Sequence, residues 1–344
     1  MSVPTLVGGI ALRAYDLPAS AAFAAAYGLV VPILVYRIAM RRSFTALLFD
    51  PFFFAVERIV VYSLRAATAA NSGKESIGLN RYMQASFALG YISLANSLAR
   101  LIRCVLVNTT NPPPESEADA KALTAPPDAT DMRHRFWFRR CAEVLLLLYL
   151  PSMILAIIAT AHNYAFTDPH NRLNQKLLYA SAALGLVLIL SEVAILLWAW
   201  WNVPRVSHRA VRFLLCAAPL LLLPTCYRLG VLRQQTPDVT ALTHAALNTR
   251  ADKAAFYVVH VLPEWLLVVL LGAVNVKEVC GTRLKGDFRW RDETPEERTK
   301  RWAKERAREE KKAMKKMKKM NKKGKGGTEA GFEMTAKDTN VSAA

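Results

Sequence analysis

Seven long apolar stretches, each closed by basic or polar residues, dominate this chain and dictate a polytopic membrane protein. They are Ala19–Ala39, Asp50–Ala70, Tyr82–Val107, Cys141–Ala161, Leu177–Trp201, Ala210–Leu232 and Ala255–Val276. A helix crossing the hydrocarbon needs roughly 20 mostly apolar residues, and each stretch reaches that length. Backbone polar groups cannot be left unpaired in lipid, so every stretch is expected to be helical. The expected fold is an all-α bundle of seven transmembrane helices, from residue 19 to 276, in a plasma membrane or endomembrane. Residues 1–18 precede it and residues 277–344 follow as a basic tail. The first stretch begins only near Ala19 and is long enough to span, so a signal-anchor that stays in place is expected rather than a cleaved leader.

Charge sets the expected orientation. The chain carries 45 Lys and Arg against 27 Asp and Glu, a formal net charge of +18. Short cytoplasmic connections collect Lys and Arg. Arg37, Arg41 and Arg42 follow the first stretch. Arg103, Arg133, Arg135, Arg139 and Arg140 bracket the third connection, and Arg205, Arg209 and Arg212 the fifth. With the lysine-rich tail, these place the N-terminus outside and the C-terminus in the cytosol. The even connections carry fewer, among them Lys74, Arg81, Arg172, Lys176, Arg233, Arg250 and Lys253. Asn108-Thr109-Thr110 fits the N-glycosylation pattern but falls on the cytosolic side in this topology, where it would go unused.

Residues 108–135 read as a flexible cytosolic loop, punctuated by Pro112-Pro113-Pro114 and Pro126-Pro127. Prolines inside the spans, Pro32, Pro151, Pro219, Pro224 and Pro263, predict kinks. In the tail, Thr294-Pro295-Glu296-Glu297 resembles a helix start, which predicts a helix over 295–323. Its lysine-rich second half points to anionic inner-leaflet lipid rather than nucleic acid. The cysteines Cys104, Cys141, Cys216, Cys226 and Cys280 avoid the outer loops, so no extracellular disulfide framework is expected. Cys280, just past the last span, is a candidate for palmitoylation.

Ionisable residues inside apolar spans cost about 2.5–3.5 kcal/mol each on insertion scales, so they turn inward and pair. Here they are Glu57 and Arg58 in the second span, Arg100 in the third, Glu192 in the fifth, Arg228 in the sixth, and His260 and Glu264 in the seventh. Asp50, Arg65 and Glu143 lie nearer span ends. His260 and Glu264 are four apart and share a face. By depth on neighbouring antiparallel helices, Arg228 is the expected partner of Glu264. Glu57 and Arg58 are adjacent, point apart, and each needs a partner elsewhere. The seventh span holds no lysine between Lys253 and Lys277, which excludes a retinal Schiff base. Scattered histidines and the absence of a phosphate-binding glycine loop, a nucleophile elbow or an HExxH pattern argue against an enzyme, a metal site or a cofactor.

Tyr227-Arg228-Leu229 followed by Phe256-Tyr257-Val258-Val259-His260-Val261-Leu262-Pro263-Glu264-Trp265 resembles the fungal lipid-translocating, RTA1-like seven-helix group. In that group a Tyr-Arg motif precedes a helix with an aromatic-x-x-acid-x-x-Pro pattern, and His260 stands here where the group has an acid. The run from Cys280-Gly281-Thr282 to Phe288-Arg289-Trp290 is similar to uncharacterised seven-helix proteins of basidiomycete fungi. The resemblance implies binding or translocation of an amphipathic lipid, with Arg228, His260 and Glu264 lining a polar pocket. A seven-helix receptor and a purely structural membrane protein are the alternatives. The receptor is disfavoured by Ala99-Arg100-Leu101, which lacks an acid before the arginine, and by the missing Asn-Pro-x-x-Tyr turn. Membrane lipids are the expected partners; oligomeric state is not encoded legibly.

Overall fold

The computed structural model describes residues 3–71, 77–110, 129–162, 171–237 and 239–282, and the positions 296, 299–300, 303–304, 306–308, 310–311, 313–314 and 317. All seven apolar stretches are helical. They are α1 (Asp16–Ala39), α2 (Phe49–Ala70), α3 (Ile77–Asn108), α4 (Ala129–His162), α5 (Asn171–Asn202), α6 (His208–Val231), and a last rod built of α7 (Arg250–Ala255), a π-helical turn (Phe256–Val261) and α8 (Leu262–Ala273). A short α9 (Val276–Val279) follows. Two-residue strands, β1 (Val3–Pro4) and β2 (Gln235–Thr236), pair antiparallel at one end.

Among the described residues, six helices are long and apolar enough to cross a membrane: α1, α3, α4, α5, α6 and the last rod. α2 falls below that standard, since it carries Asp50, Glu57, Arg58 and Arg65. Past their polar first turns, α4 and α5 present large apolar side chains outward, among them Leu147 (61% exposed), Ile154 (53%) and Val187 (57%). A continuous greasy outer surface of this kind suits hydrocarbon, not water. The chain is thus a multi-pass helical membrane protein.

α3 stands at the centre, touching α2, α4, α5 and α6, while α1 joins α2 to α8 at the rim. Its apolar window has the lowest mean hydropathy of the six, 1.3, yet is 83% buried, against 1.8 and 22% for α1. A helix facing protein needs small residues for close approach rather than grease. α3 supplies Ala88, Ala95 and Ala99, all buried, and Gly90.

Several helices begin ahead of the expected spans, among them α3 at Ile77, α5 at Asn171 and, most of all, α4 at Ala129. The expected loop 108–135 is helical from Ala129 onward; residues 111–128 lie outside the described set. Arg135 explains why α4 starts early. Its Nε donates to Thr110 Oγ1 at 2.8 Å and its Nη2 to the Thr110 carbonyl at 2.8 Å, so the first turns of α4 are fastened to the end of α3. These polar turns do not register as a span. The Asn108 sequon also has a structural use: its side-chain amide donates to the carbonyls of Cys280 and Gly281, each at 3.0 Å. Helices run unbroken through Pro32, Pro151, Pro219 and Pro224. Only around Pro263 does the ladder change, through the π turn just before it.

Residues 288–344 form a separate unit. Its described positions between 296 and 317 are helical. The expected start at Thr294-Pro295 and the stretch after Met317 lie outside the described residues.

Candidate functional site

The deepest charges gather where α2, α3 and α8 meet. Arg58 is fully buried, and its Nε and Nη2 lie 3.0 and 2.9 Å from Glu264 Oε2. Its Nη1 donates to Ser86 Oγ at 2.6 Å and sits 3.4 Å from Glu57 Oε2. The guanidinium also lies over the Phe54 and Phe87 rings, 4.5 and 5.6 Å from their centroids. It rests against the backbone of Gly90, where a side chain would occupy the same space. Two carboxylates therefore share one cation, Glu264 from inside and Glu57, one-third exposed, from outside.

The cation that holds Glu264 is thus Arg58 rather than the expected Arg228. Arg228 is also buried, but its guanidinium lies over the Tyr91 ring at 5.8 Å. His260 sits in the π turn, boxed by Phe87, Phe256 and Tyr227 at ring distances of 5.8, 5.5 and 5.9 Å. Its Nδ1 is 3.7 Å from Glu264 Oε1, the i,i+4 approach that the sequence predicts. A π turn widens the helix by one residue per turn and recurs at functional sites. Here it delivers an imidazole into an aromatic box in front of a carboxylate.

A second network closes the end of the bundle that holds the N-terminal segment. Asp16, at the first turn of α1, accepts from Arg65 Nε (2.9 Å) and Nη2 (2.7 Å), from the Tyr257 hydroxyl (2.9 Å) and from the Leu12 amide (2.8 Å). Lys253 lies 3.1 Å from the same carboxylate. Arg65 and Lys253 both donate to the Gly8 carbonyl, at 2.6 and 2.7 Å. Val7 is clasped by Gln84 through both its amide (3.2 Å) and its carbonyl (3.0 Å). The expected outer segment is therefore built into the bundle. Gly8 is in the left-handed region (φ +77°), and a Cβ there would lie 2.9 Å from the Phe256 ring. Gly8→Ala is expected to add a left-handed backbone penalty of about 1–2 kcal/mol and to loosen this segment. Amide hydrogen exchange of residues 5–15 in detergent should rise at least about tenfold, the ratio that 1.4 kcal/mol sets when exchange follows opening.

The remaining expected residues lie apart. Glu192 is fully buried and accepts from the Tyr149 hydroxyl at 2.5 Å across α4 and α5. Arg100 pairs with Asp50 at 2.9 Å, each about one-third exposed. Glu143 bridges Arg103 (3.4 Å) and Arg140 (3.0 Å). Cys280, beyond α9, is buried, and burial beside Cys104 pushes its thiol up to about 12. The thiolate is the nucleophile, so acyl transfer to Cys280 requires the α9 turn to move first. In the folded protein at pH 8, a small uncharged maleimide is expected to modify Cys141, exposed near the polar first turns of α4, and to spare Cys280. Reactivity at Cys280 should climb only as the pH approaches 12, as mass spectrometry of quenched samples would show.

Between α2, α3 and the end of α4 lies a groove of about 660 Å³. Apolar residues dominate it, including Phe53, Leu89 and Ile157, and Phe53 and Ile157 are more than half exposed at its lips. Set into this wall are Arg81, Tyr82, Ser86, Glu57, Ser93 and Asp50. Arg58, Arg228, His260 and Glu264 do not line it; Arg58 lies behind it, against Gly90 and Ser86. No family model, curated protein or solved structure matches the chain.

The groove is the part that sequence reasoning missed. Arg81 counts in the sequence as a loop charge and Ser86, Gly90 and Ser93 as filler. One signal was available: Tyr82, Ser86, Ser93, Ser97 and Arg100 follow spacings of four, seven, four and three, a single face of α3. Lys253 and Asp16 were equally hidden, each looking like an ordinary helix-end charge.

Proposed function

We infer that the protein binds or moves an amphipathic lipid, and that the groove between α2, α3 and α4 receives it. The observation that carries this reading is the groove itself. An apolar cleft that faces the bilayer sideways and contains charged side chains suits a molecule with a polar head and a greasy tail. The resemblance of the last helices to lipid-translocating exporters points the same way.

In this reading the bundle crosses seven times, with α2 as the additional span. Its burden of charge supports rather than opposes that, since Arg58 and Arg65 are sequestered and the outward side chains Phe53, Val56 and Val60 are apolar. The N-terminus lies outside and the basic tail inside. Burial of Lys253 against Gly8 and Asp16 removes one free cation from the N-terminal end and sharpens the charge asymmetry. The tail helix would then lie against anionic inner-leaflet lipid, where each Lys or Arg contributes about 1 kcal/mol. The fully buried Arg58–Glu264 pair acts as a strut behind the groove, not as a contact to the lipid.

The test is reconstitution in vesicles with an acyl-labelled fluorescent phospholipid. Wild type should bring inner-leaflet label to the outer face faster than protein-free vesicles. Ser93→Phe, which fills the groove, should return the rate to background. A wild-type rate equal to that of empty vesicles, with no photo-crosslink from lipid to α2 or α3, would sink the reading.

A further inference from the structure

We propose that the groove is a track for the headgroup of a zwitterionic phospholipid, which slides along it head-first while its acyl chains stay in the bilayer. This inference rests on the lipid-binding reading of the same groove and adds the headgroup chemistry and the mode of movement.

Length is the first support. The α3 residues that line the groove run from Arg81 to Ser93, about 18 Å at 1.5 Å per residue, and Ser97 and Arg100 carry polar groups further along the helix, to about 28 Å in all, against the ~30 Å of hydrocarbon to be crossed. Polar groups from both walls lie along the groove in order: Arg81 and Tyr82 at the N-terminal end, Glu57 beside Ser86, Ser93 below, then Asp50, which beyond the lining meets Ser97 and Arg100. A buried tail-binding cavity would not need polar groups at every level. A path for a charged headgroup would, because an unpaired charge in hydrocarbon is costly.

Sign is the second support. Arg81 lines the groove with its Nε buried and without a hydrogen-bond partner, and it makes no ion pair among the described residues. It can receive a phosphate. Glu57 lies 3.4 Å from Arg58, whose charge is already taken up by Glu264 at 2.9 Å and Ser86 at 2.6 Å, and it shares a hydrogen bond with the Tyr82 side chain of the same groove, a neutral partner that leaves its charge unmatched. It can receive an ammonium. At the far end Asp50 and Arg100 pair at 2.9 Å while each stays about one-third exposed, so the pair can open to the two charges of an arriving headgroup. The path thus offers charge of both signs, a cation at each end and carboxylates between. A purely anionic headgroup meets Glu57 and Asp50, and a purely cationic one meets Arg81.

The experiment uses the full chain in vesicles containing acyl-labelled phosphatidylcholine or acyl-labelled phosphatidylglycerol, with bleaching of outer-leaflet label by dithionite. Phosphatidylcholine is expected to cross at least about tenfold faster than phosphatidylglycerol, corresponding to ~1.4 kcal/mol in the barrier. Arg81→Gln and Glu57→Gln should each slow phosphatidylcholine by a similar factor. Arg81 has no hydrogen bond or ion pair to lose among the described residues, and a monodisperse size-exclusion profile checks the folding of both variants. Equal rates for both lipids, unaffected by either substitution, overturn the headgroup inference and leave the groove reading standing. Photo-crosslinking of phosphatidylcholine to Ser93 without any crossing overturns sliding and leaves binding. Absence of both crossing and crosslinking removes the groove reading as well.

Discussion

Arg58→Met is expected to destabilise the folded protein by about 3–5 kcal/mol, because it strands the fully buried Glu264 without its cation. Glu264→Gln should cost a comparable amount by stranding Arg58. The double variant should recover much of the loss, since two charges removed together leave no unpaired ion behind. A double-mutant cycle on thermal unfolding in detergent reads this directly as a coupling between positions 58 and 264. The same cycle between Arg228 and Glu264 should give a clearly smaller coupling, since Arg228 lies over Tyr91. A larger coupling for Arg228 than for Arg58 would mean that the ion pair is misassigned.

Gly90→Ala should be nearly as damaging, although it adds a single methyl group. The new Cβ would overlap the Arg58 guanidinium and come within 2.8 Å of both Arg58 Cζ and the Phe54 ring. Arg58 cannot step aside without breaking its bonds to Glu264 and Ser86. Overpacking alone costs about 1–3 kcal/mol, and partial loss of the ion pair adds to it. Gly28→Ala in α1, where a Cβ meets nothing within 4 Å, is the matched control and should leave the melting temperature within a degree or two or raise it slightly. Equal melting of the two variants would show that the Arg58 side chain has room that the structure does not give it.

Much of the fold was legible because hydrophobic length is written directly in the chain. All seven apolar stretches became helices, and Arg58, Glu192, Arg228, His260 and Glu264 turned inward, as the cost of bare charge in oil requires, while Glu57 and Arg100 stay about one-third exposed. The choice of partners was not legible. Arg228 and Glu264 lie on helices consecutive in sequence, which suggested a match by depth; the actual neighbour of Glu264 comes from α2, more than 200 residues earlier. Nothing local records which rods touch. Asp16, Arg65 and Lys253 looked like surface charges at helix ends until the segment around Gly8 folded over them. The π turn was also unannounced, since Pro263 announces a disturbance in the ladder but not its form. Six spans rather than seven meet a plain apolarity standard for a related reason: α2 keeps its charges on one side, and averaging along the sequence blurs them with its lipid-facing side.

The central position of α3 has a consequence for how the chain is made. Synthesis delivers the third rod to the bilayer before α4, α5 and α6 exist, so its serines and arginines meet lipid with half of their eventual surroundings absent. Such a segment holds poorly on its own and must be retained at the insertion machinery until later rods arrive to enclose it. In nascent chains cut just after Asn108 the α3 segment should therefore be open to added protease, whereas in chains extended past Val231 it should be protected.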